Sequence, residues 1–290
     1  YIYLGYLIIM QTKIRLLMAE ENTKRTPPSK ETIDRLTSLK FKPISGQALV
    51  DSFPILVETD KSMEVAKSVA ARLNAAEPKT IQLLPYNQTG RVSVSALKSP
   101  KHLKDRVDGE KGPQKIVAGS QSEMGMTIDA MLFQHQVSDC LSEASRLTVD
   151  LEVLGFSVNG TPDAAAFDSP VELKTIETLT PGMSFIPDAL YNFYYQNTPF
   201  RNLSSWLMQL GMYQIATTGK GFLVLVSRDT GSVVCYESAY NLPVLVQYNH
   251  HKWLKDYSSF ADIIENIRQI NTSQPPSIDD SQVNNEGSQL

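Results

Sequence analysis

Two carboxylates and one ammonium group lie close together in residues 161–175, the segment TPDAAAFDSPVELKT. Glu172 and Lys174 are separated by one residue in a run that reads as a β-strand, so both side chains would leave the same face. Residues 157–167 also have the pattern of a strand, and pairing of the two runs as a hairpin would bring Asp163 to that face. The pattern therefore predicts two acids and one lysine at a single site.

A bound cation is the simplest explanation for acids this close together, because unpaired carboxylates repel each other. Mg2+ fits best, with Mn2+ as a substitute, because Mg2+ takes one or two protein carboxylates and leaves its other positions to water and phosphate oxygens. We expect Asp163, Glu172 and the backbone carbonyl of Leu173 as ligands. Lys174 would hold or help deprotonate the attacking water, which predicts hydrolysis of a phosphate ester.

The Pro-Asp pair that ends at Asp163, followed by the Glu-Leu-Lys run that ends at Lys174, resembles the motif of the PD-(D/E)XK nuclease superfamily. A second Pro-Asp pair, ending at Asp188, has no such run behind it. The motif alone is also compatible with a surface hairpin that carries an incidental Asp and a Glu–Lys pair. Neighbouring segments therefore decide how far the resemblance extends.

A predicted helix downstream, in residues 202–219, places Gln209 and Tyr213 four residues apart on one face. This spacing resembles the QxxxY motif of the RecB-like and phage exonuclease branch. The resemblance implies that both side chains line the site and help to place the DNA backbone. In the alternative, Tyr213 packs in the core and Gln209 is a solvated helix residue.

A long helix is predicted upstream, over residues 119–145, from its apolar stripe. Gly119 and Glu123 resemble the Gly-x3-His or Gly-x3-Glu helix start of the same branch, and Glu at this position is typical of the lambda-exonuclease type. The resemblance implies that Glu123 completes the metal site, although a first-turn acid also favours the helix dipole. Three further acids of this segment compete for the role: Asp129, Asp139 and Glu143.

Two more segments extend the resemblance to about residues 91–240. A run ahead of the long helix resembles the opening of phage exodeoxyribonuclease VIII-like proteins. It consists of Ser93, Ser95, Leu97, Ser99 and Pro100. A strand that carries Glu152 then leads into the predicted hairpin, and Glu152 is interpreted as a supporting or exposed residue.

The resemblance implies an α/β fold of the restriction-endonuclease type, with a central mixed β-sheet flanked by helices. It also implies a metal-dependent DNA exonuclease of phage, viral or cellular origin that processes duplex ends in recombination, repair or replication. A single-strand annealing protein and further copies of the chain are the implied partners. Two alternatives stay open: an endonuclease of the same fold, structure-specific or cap-snatching, and an inactive nuclease fold kept as a DNA-binding module. The intact Asp, Glu and Lys argue against the inactive module.

The domain organisation is predicted from shifts in composition along the 290 residues. Residues 1–47 are interpreted as a non-native leader with a flexible arm, in which Met18 is the natural start and one short helix covers about residues 30–39. Residues 48–90 predict an accessory strand–helix–strand region, and 91–271 the nuclease domain. The tail from 272 to 290 has no Lys or Arg and is expected to be disordered.

Composition limits the other function classes. The net charge of −4 does not by itself indicate nucleic-acid binding, but residues 91–115 are locally basic and could track phosphates or form a solvated loop. Two cysteines fit neither a zinc site nor a disulfide framework and favour a reducing, cytoplasmic compartment, of the host cell if the protein is viral. The ten-residue apolar run at the start is too short to span a bilayer, so no membrane is expected.

Overall fold

The computed structural model describes residues 24–45, 56–83, 92–108, 116–135, 137–177, 203–217, 220–238 and 242–273. Several predictions concern residues outside these ranges. They are the non-native leader before Met18, with its apolar run, and nearly all of the tail that was expected to be disordered.

Eleven strands and seven helices make up the described part. The strands are β1 (Lys24–Thr26), β2 (Lys42–Pro43), β3 (Leu56–Val57), β4 (Ile81–Leu83), β5 (Leu141–Ser142), β6 (Leu147–Leu151), β7 (Phe156–Gly160), β8 (Ala164–Ala166), β9 (Ser169–Ile176), β10 (Phe222–Ser227) and β11 (Ser232–Ser238). The helices are α1 (Lys30–Ser38), α2 (Asp60–Ala75), α3 (Pro100–Asp108), α4 (Gln121–Met131), α5 (Leu203–Ile215), α6 (Leu242–Asp256) and α7 (Ser258–Ser273).

A seven-stranded mixed sheet forms the centre, in the order β2-β11-β10-β9-β8-β5, with β3 also paired to β11. Strands β9 and β10 are parallel, and α5 lies in the connection that parallel strands require. Strands β10 and β11 are buried at every position, as expected for central strands covered on both faces. The predicted α/β class, with a mixed sheet flanked by helices, is confirmed at this level.

The two faces of the sheet pack against different helices because successive strand residues point to opposite sides. On one face, Val171 and Leu173 of β9 are buried in a cluster with residues of α2 and α4. On the other face, Ile176 is buried with Leu207 and Leu210 of α5. Glu172 and Lys174 alternate with the first pair, so they lie on the α5 side of β9.

A second core lies beside the sheet, between the β6–β7 hairpin and helices α3, α5, α6 and α7. Helices α6 and α7 follow each other directly and are separated at Tyr257. The buried side of α7 consists of Phe260, Ile263, Ile264 and Ile267. His250 is part of this core, and burial lowers its pKa to about 4, so it is a neutral packing residue.

The strand pairing around Asp163 differs from the predicted hairpin. Residues 157–167 do not form one strand: β7 pairs with β6, and the separate short strand β8 pairs with β9. The prediction of a hairpin that ends in the Glu-Leu-Lys run is therefore correct only for β8 and β9. Strands β10 and β11 form a second hairpin, with Asp229, Thr230 and Gly231 between them.

The long helix predicted over residues 119–145 is also shorter than expected, since α4 ends at Met131. Residues 141–142 form β5, so Asp139 and Glu143 are not on the helix. Asp139 instead forms a salt bridge with Arg72, whose guanidinium lies 2.7 Å from its carboxylate. Of the acids that competed with Glu123, only Asp129 lies on α4.

The N-terminal arm contributes to the described fold. The predicted short helix is present as α1, β1 pairs with β4, and β2 joins the central sheet. The predicted strand–helix–strand region is also present, as β3, α2 and β4. Among the described residues, no helix is long and apolar enough to cross a membrane.

Candidate active site

Strand β9 extends well beyond its short neighbour β8. The two strands pair only from Ser169 to Val171, so the following residues of β9 lack a strand partner on that side within the described part of the chain. Asp163 directly precedes β8, and its Oδ2 accepts a hydrogen bond of 2.7 Å from the Leu173 N–H. The carboxylate of Asp163 thus takes the place of a strand neighbour at this edge of β9.

The same geometry locates the backbone carbonyl of Leu173. The N–H and C=O groups of one strand residue leave the strand on the same side. Since the Leu173 N–H points to Asp163, its carbonyl faces the same edge. The structure therefore brings the Leu173 carbonyl and the Asp163 carboxylate to the same edge, as the expected set of metal ligands requires.

A tight turn fixes the register of this hairpin. Phe167 and Asp168 join β8 to β9 with φ angles of 51° and 58°, the backbone of a two-residue turn with both residues left-handed. Ala166 is paired with Ser169 and Ala164 with Val171. This register brings Asp163 beside the residues that follow Val171, which are Glu172 and Leu173.

Glu172 and Lys174 lie on one face of β9, as predicted from their spacing. The Lys174 ammonium contacts Glu172 Oε1 and lies 3.8 Å from Asp163 Oδ2. Glu172 is completely buried, and its second oxygen, Oε2, has no hydrogen-bond partner among the described residues. A buried carboxylate oxygen without a donor is costly unless a ligand completes it.

The environment changes the acidity of both groups. Burial, followed by the charge of Asp163, raises the pKa of Glu172 to about 7. Burial also disfavours the charge of Lys174, but the carboxylates of Glu172 and Asp163 outweigh it and raise the lysine pKa above its usual value. At neutral pH Lys174 is therefore an ammonium group, while Glu172 is close to its midpoint.

Asp129 of α4 is the fourth charged group of this cluster. Its side chain reaches solvent, yet the surrounding protein removes hydration from the carboxyl, and this burial, followed by the charge of Asp163, raises its pKa well above the usual value. Lys174 and Glu172 also act on it. A carboxyl that is crowded by protein but still reached by water is typical of a cleft wall.

Close packing of α4 against β9 explains how Asp129 reaches the cluster. A Cβ atom on Gly125 would lie 2.7 Å from the Thr175 hydroxyl, so the absence of a side chain allows the helix to approach the strand. Asp129 follows one helical turn later. Sequence reasoning considered Asp129 but did not select it.

Glu123 lies in a different environment from the one predicted. Its Oε2 accepts hydrogen bonds from the Ser29 and Thr32 hydroxyls, both at 2.6 Å, and from the Gly119 N–H at 2.8 Å. Its Oε1 accepts from the Ser29 N–H at 2.8 Å. Burial opposes the charge, but these hydrogen bonds outweigh it and lower the pKa of Glu123.

The structure therefore does not place Glu123 with the Asp163 cluster. Its carboxylate fastens the start of α1 to the start of α4, and both of its oxygens already have donors. A metal-binding role for Glu123 stays a prediction, and these hydrogen bonds favour a structural role. Among the described residues, no group of three or more His, Cys, Asp or Glu side chains is placed to hold a metal ion.

Tyr213 and Gln209 are both buried on α5, the helix that covers the Glu172 face of the sheet. The Tyr213 hydroxyl donates to the Thr161 carbonyl at 3.0 Å. A Cβ atom on Gly160 would lie 2.8 Å from the Tyr213 ring, so the chain passes directly beside it. Tyr213 thus fixes the backbone that leads to Asp163.

The serine-rich motif ahead of α3 forms a turn over this region. The Val94 N–H donates to the Asn159 carbonyl at 3.3 Å, which attaches the turn to β7. Ser99 accepts a hydrogen bond from the His102 N–H and begins α3. Lys98, between these points, feels the charges of Lys174, Glu172 and Asp163, although sequence reasoning did not single it out. Glu152 is exposed in the turn after β6.

Comparison of this chain with protein-family models, curated proteins and solved structures gives no match.

Proposed function

We propose that this protein is a metal-dependent nuclease with a restriction-endonuclease-like fold that degrades DNA from duplex ends. The observation that carries the proposal is the cluster at the edge of β9. There a fully buried Glu172 has one oxygen against Lys174 and one without a partner in the described part of the chain, and Asp163 lies beside them. Such an arrangement costs stability, which is typical of sites retained for chemistry.

The groups of the cluster fit a hard cation. Its donors are all oxygens, from Asp163, Glu172 and the Leu173 carbonyl, and Oε2 of Glu172 is a buried acceptor without a hydrogen-bond partner among the described residues. These residues would hold Mg2+ or Mn2+, which needs no more than one or two protein carboxylates when water and phosphate complete the shell. The ion would supply positive charge to the phosphate and to the attacking water.

Lys174 has the clearest role among the residues of the chain. Its raised pKa keeps it protonated, so it donates hydrogen bonds and does not act as a base. It can hold the attacking water and stabilise negative charge that develops on the phosphate. Tyr213 holds the segment before Asp163, and α5 excludes water from the buried side of Glu172.

The exonuclease branch is favoured by α5. This helix lies in the crossover between the parallel strands β9 and β10 and carries Gln209 and Tyr213 on the side of the catalytic face. The same proposal includes action on duplex ends in recombination, repair or replication. It also includes a single-strand annealing partner and assembly into a homo-oligomer. A reducing intracellular location does too, and is compatible with the free thiols of Cys140 and Cys235.

Degradation of end-labelled linear duplex DNA, beside a covalently closed circle, tests the proposal. With Mg2+, wild-type protein should release nucleotides from the linear substrate only, and chelation or Lys174→Ala should abolish the release. Cleavage of the circle would favour the endonuclease of the same fold. Absence of cleavage of both DNA substrates and of RNA would contradict the proposal and favour the inactive module.

A further inference from the structure

Lys98 is a half-buried cation beside the cluster at the edge of β9. It lies in the turn ahead of α3, and this turn packs through Val94 against Gly160, three residues before Asp163, where a Cβ atom would lie 2.7 Å from the Val94 side chain. The protein around Lys98 removes much of its hydration. Within the described residues, no hydrogen bond or ion pair engages its ammonium group. This is unusual, because a desolvated ammonium without a partner is unfavourable.

The surrounding charges add to this cost. Burial, followed by the positive charge of Lys174, lowers the pKa of Lys98, and Arg106 of α3 acts in the same direction. Glu172 and Asp163 oppose them, but only through space. Lys98 therefore lies near carboxylates that Lys174 already engages, by a contact with Glu172 and at 3.8 Å from Asp163.

An anion with several acceptor oxygens would resolve this arrangement. A phosphate carries such oxygens and gains from more than one nearby cation. The turn that holds Lys98 is fixed at both ends, by Val94 on β7 and by Ser99 at the start of α3. The backbone that carries Lys98 is therefore fixed before any ligand arrives, so only the side chain has to become ordered on binding.

We propose that Lys98 binds a backbone phosphate of the nucleic-acid substrate, next to the phosphate at the Asp163–Glu172–Lys174 cluster. This inference rests on the proposed nuclease function and extends it to a residue that contacts substrate. Lys98 is a substrate-binding residue, and the hydrolytic groups remain those on β9. Its loss should therefore weaken binding more than it slows the chemical step.

Binding of a short fluorescent duplex DNA, measured by anisotropy with Ca2+ in place of Mg2+, tests this inference. Electrophoresis of the same samples verifies that the DNA stays intact. Lys98→Ala should weaken binding about tenfold, as expected for one charged hydrogen bond, whereas Lys98→Arg should lose less. The slope of log Kd against log salt should fall by about one for Lys98→Ala.

Lys101→Ala is the matched control, because Lys101 lies three residues after Lys98 in the first turn of α3, is exposed and carries the same charge. It should leave both Kd and the salt slope near wild type. Thermal melting of each variant confirms that the proteins are folded. In Mg2+, Lys98→Ala should raise KM and change kcat little.

The experiment distinguishes a wrong role for Lys98 from a wrong proposed function. If wild-type protein binds and degrades DNA but Lys98→Ala matches Lys101→Ala in Kd and salt slope, the role of Lys98 is wrong and the nuclease function stands. If wild-type protein binds neither DNA nor RNA, both the role of Lys98 and the proposed function are wrong.

Discussion

Two buried glutamates in this protein have opposite environments. Glu123 accepts four hydrogen bonds, from Ser29, Thr32 and Gly119, and these lower its pKa. Among the described residues, Glu172 forms one ion pair, with Lys174, and its other oxygen has no donor; its pKa is raised to about 7. Both are nearly inaccessible to solvent.

This difference separates a structural carboxylate from one suited to chemistry. A carboxylate whose acceptor sites are filled by the protein stabilises the fold and has little capacity left for a ligand. A carboxylate that the fold leaves incomplete costs stability until a cation or substrate completes it. Glu123 is the first kind and connects α1 to α4. Glu172 is the second kind and lies beside the edge of β9 at Asp163.

The largest effect is expected for Asp163→Asn. The amide oxygen can still accept the Leu173 N–H, so the hairpin should persist, but one negative charge is lost from the cluster. We expect Mg2+-dependent nucleotide release to fall about a thousandfold. Glu152→Gln, which removes an exposed carboxylate in the turn after β6, is the charge-matched control and should retain the wild-type rate. Equal rates for the two variants would mean that the cluster is not the active site.

A large loss of stability is expected for Glu123→Gln. The amide retains one acceptor oxygen and points an NH2 group at donors that previously met a carboxylate. We expect the free energy of unfolding to fall by about 2–4 kcal/mol. Urea denaturation measures this change, and an unchanged midpoint would show that the hydrogen bonds of Glu123 contribute little to the fold.

Asp129→Asn should lower the cleavage rate without lowering stability, whereas Glu123→Gln should lower stability. Because the folded state raises the pKa of Asp129, ionisation of this group costs stability at pH values above its unfolded pKa, although solvent screening keeps this cost small for an exposed side chain. The variant should therefore melt at the same or a slightly higher temperature than wild type at pH 7 without metal. It should also gain less stability from added Mg2+ and cleave at least about tenfold more slowly. A lower melting temperature together with a wild-type cleavage rate would contradict a role in the cluster.

A smaller effect is expected from pH. Glu172 has a folded pKa of about 7, above the usual 4.5, so the folded state binds more protons than the unfolded state between these values. Its contribution to stability is therefore present below about pH 4.5 and is lost as the pH rises towards 7. Because a metal ion binds the ionised form, Mg2+ affinity should increase from pH 6 to pH 8 with release of a proton.

Calorimetric titration of Mg2+ in two buffers of different ionisation enthalpy measures that proton release. Glu172→Gln should remove both the proton release and most of the pH dependence. Proton release that persists in this variant would assign the titration to another group.

The spacing of residues along the sequence was sufficient to predict which side chains of the candidate site share one face of β9. Alternation in residues 170–175 correctly placed Glu172 and Lys174 on one face, because a strand has a side-chain period of two. The hairpin that brings Asp163 to this strand was predicted correctly for β8 and β9, but the residues before Asp163 pair with β6 and do not continue the same strand. Phe167 and Asp168 adopt left-handed backbone angles that are uncommon for Phe, so the residue types gave no indication of the turn between β8 and β9.

The choice between Glu123 and Asp129 could not be made from the sequence. Six residues along a helix rotate the side chain by about 240°, so the two acids face different surroundings. Which of them meets the cluster depends on Ser29 and Thr32, which lie about ninety residues away in the chain. Helix periodicity also continued past Met131 into Leu132, so the end of α4 was not predictable from the apolar stripe.

The most direct test compares Glu172→Gln with Glu123→Gln in the same Mg2+-dependent DNA degradation assay. Rates are expressed per folded molecule, with the folded fraction taken from circular dichroism under the assay conditions. We predict that Glu123→Gln retains the wild-type rate and that Glu172→Gln loses it about a thousandfold. An active Glu172→Gln protein beside an inactive but folded Glu123→Gln protein would contradict the assignment of the active site to the edge of β9.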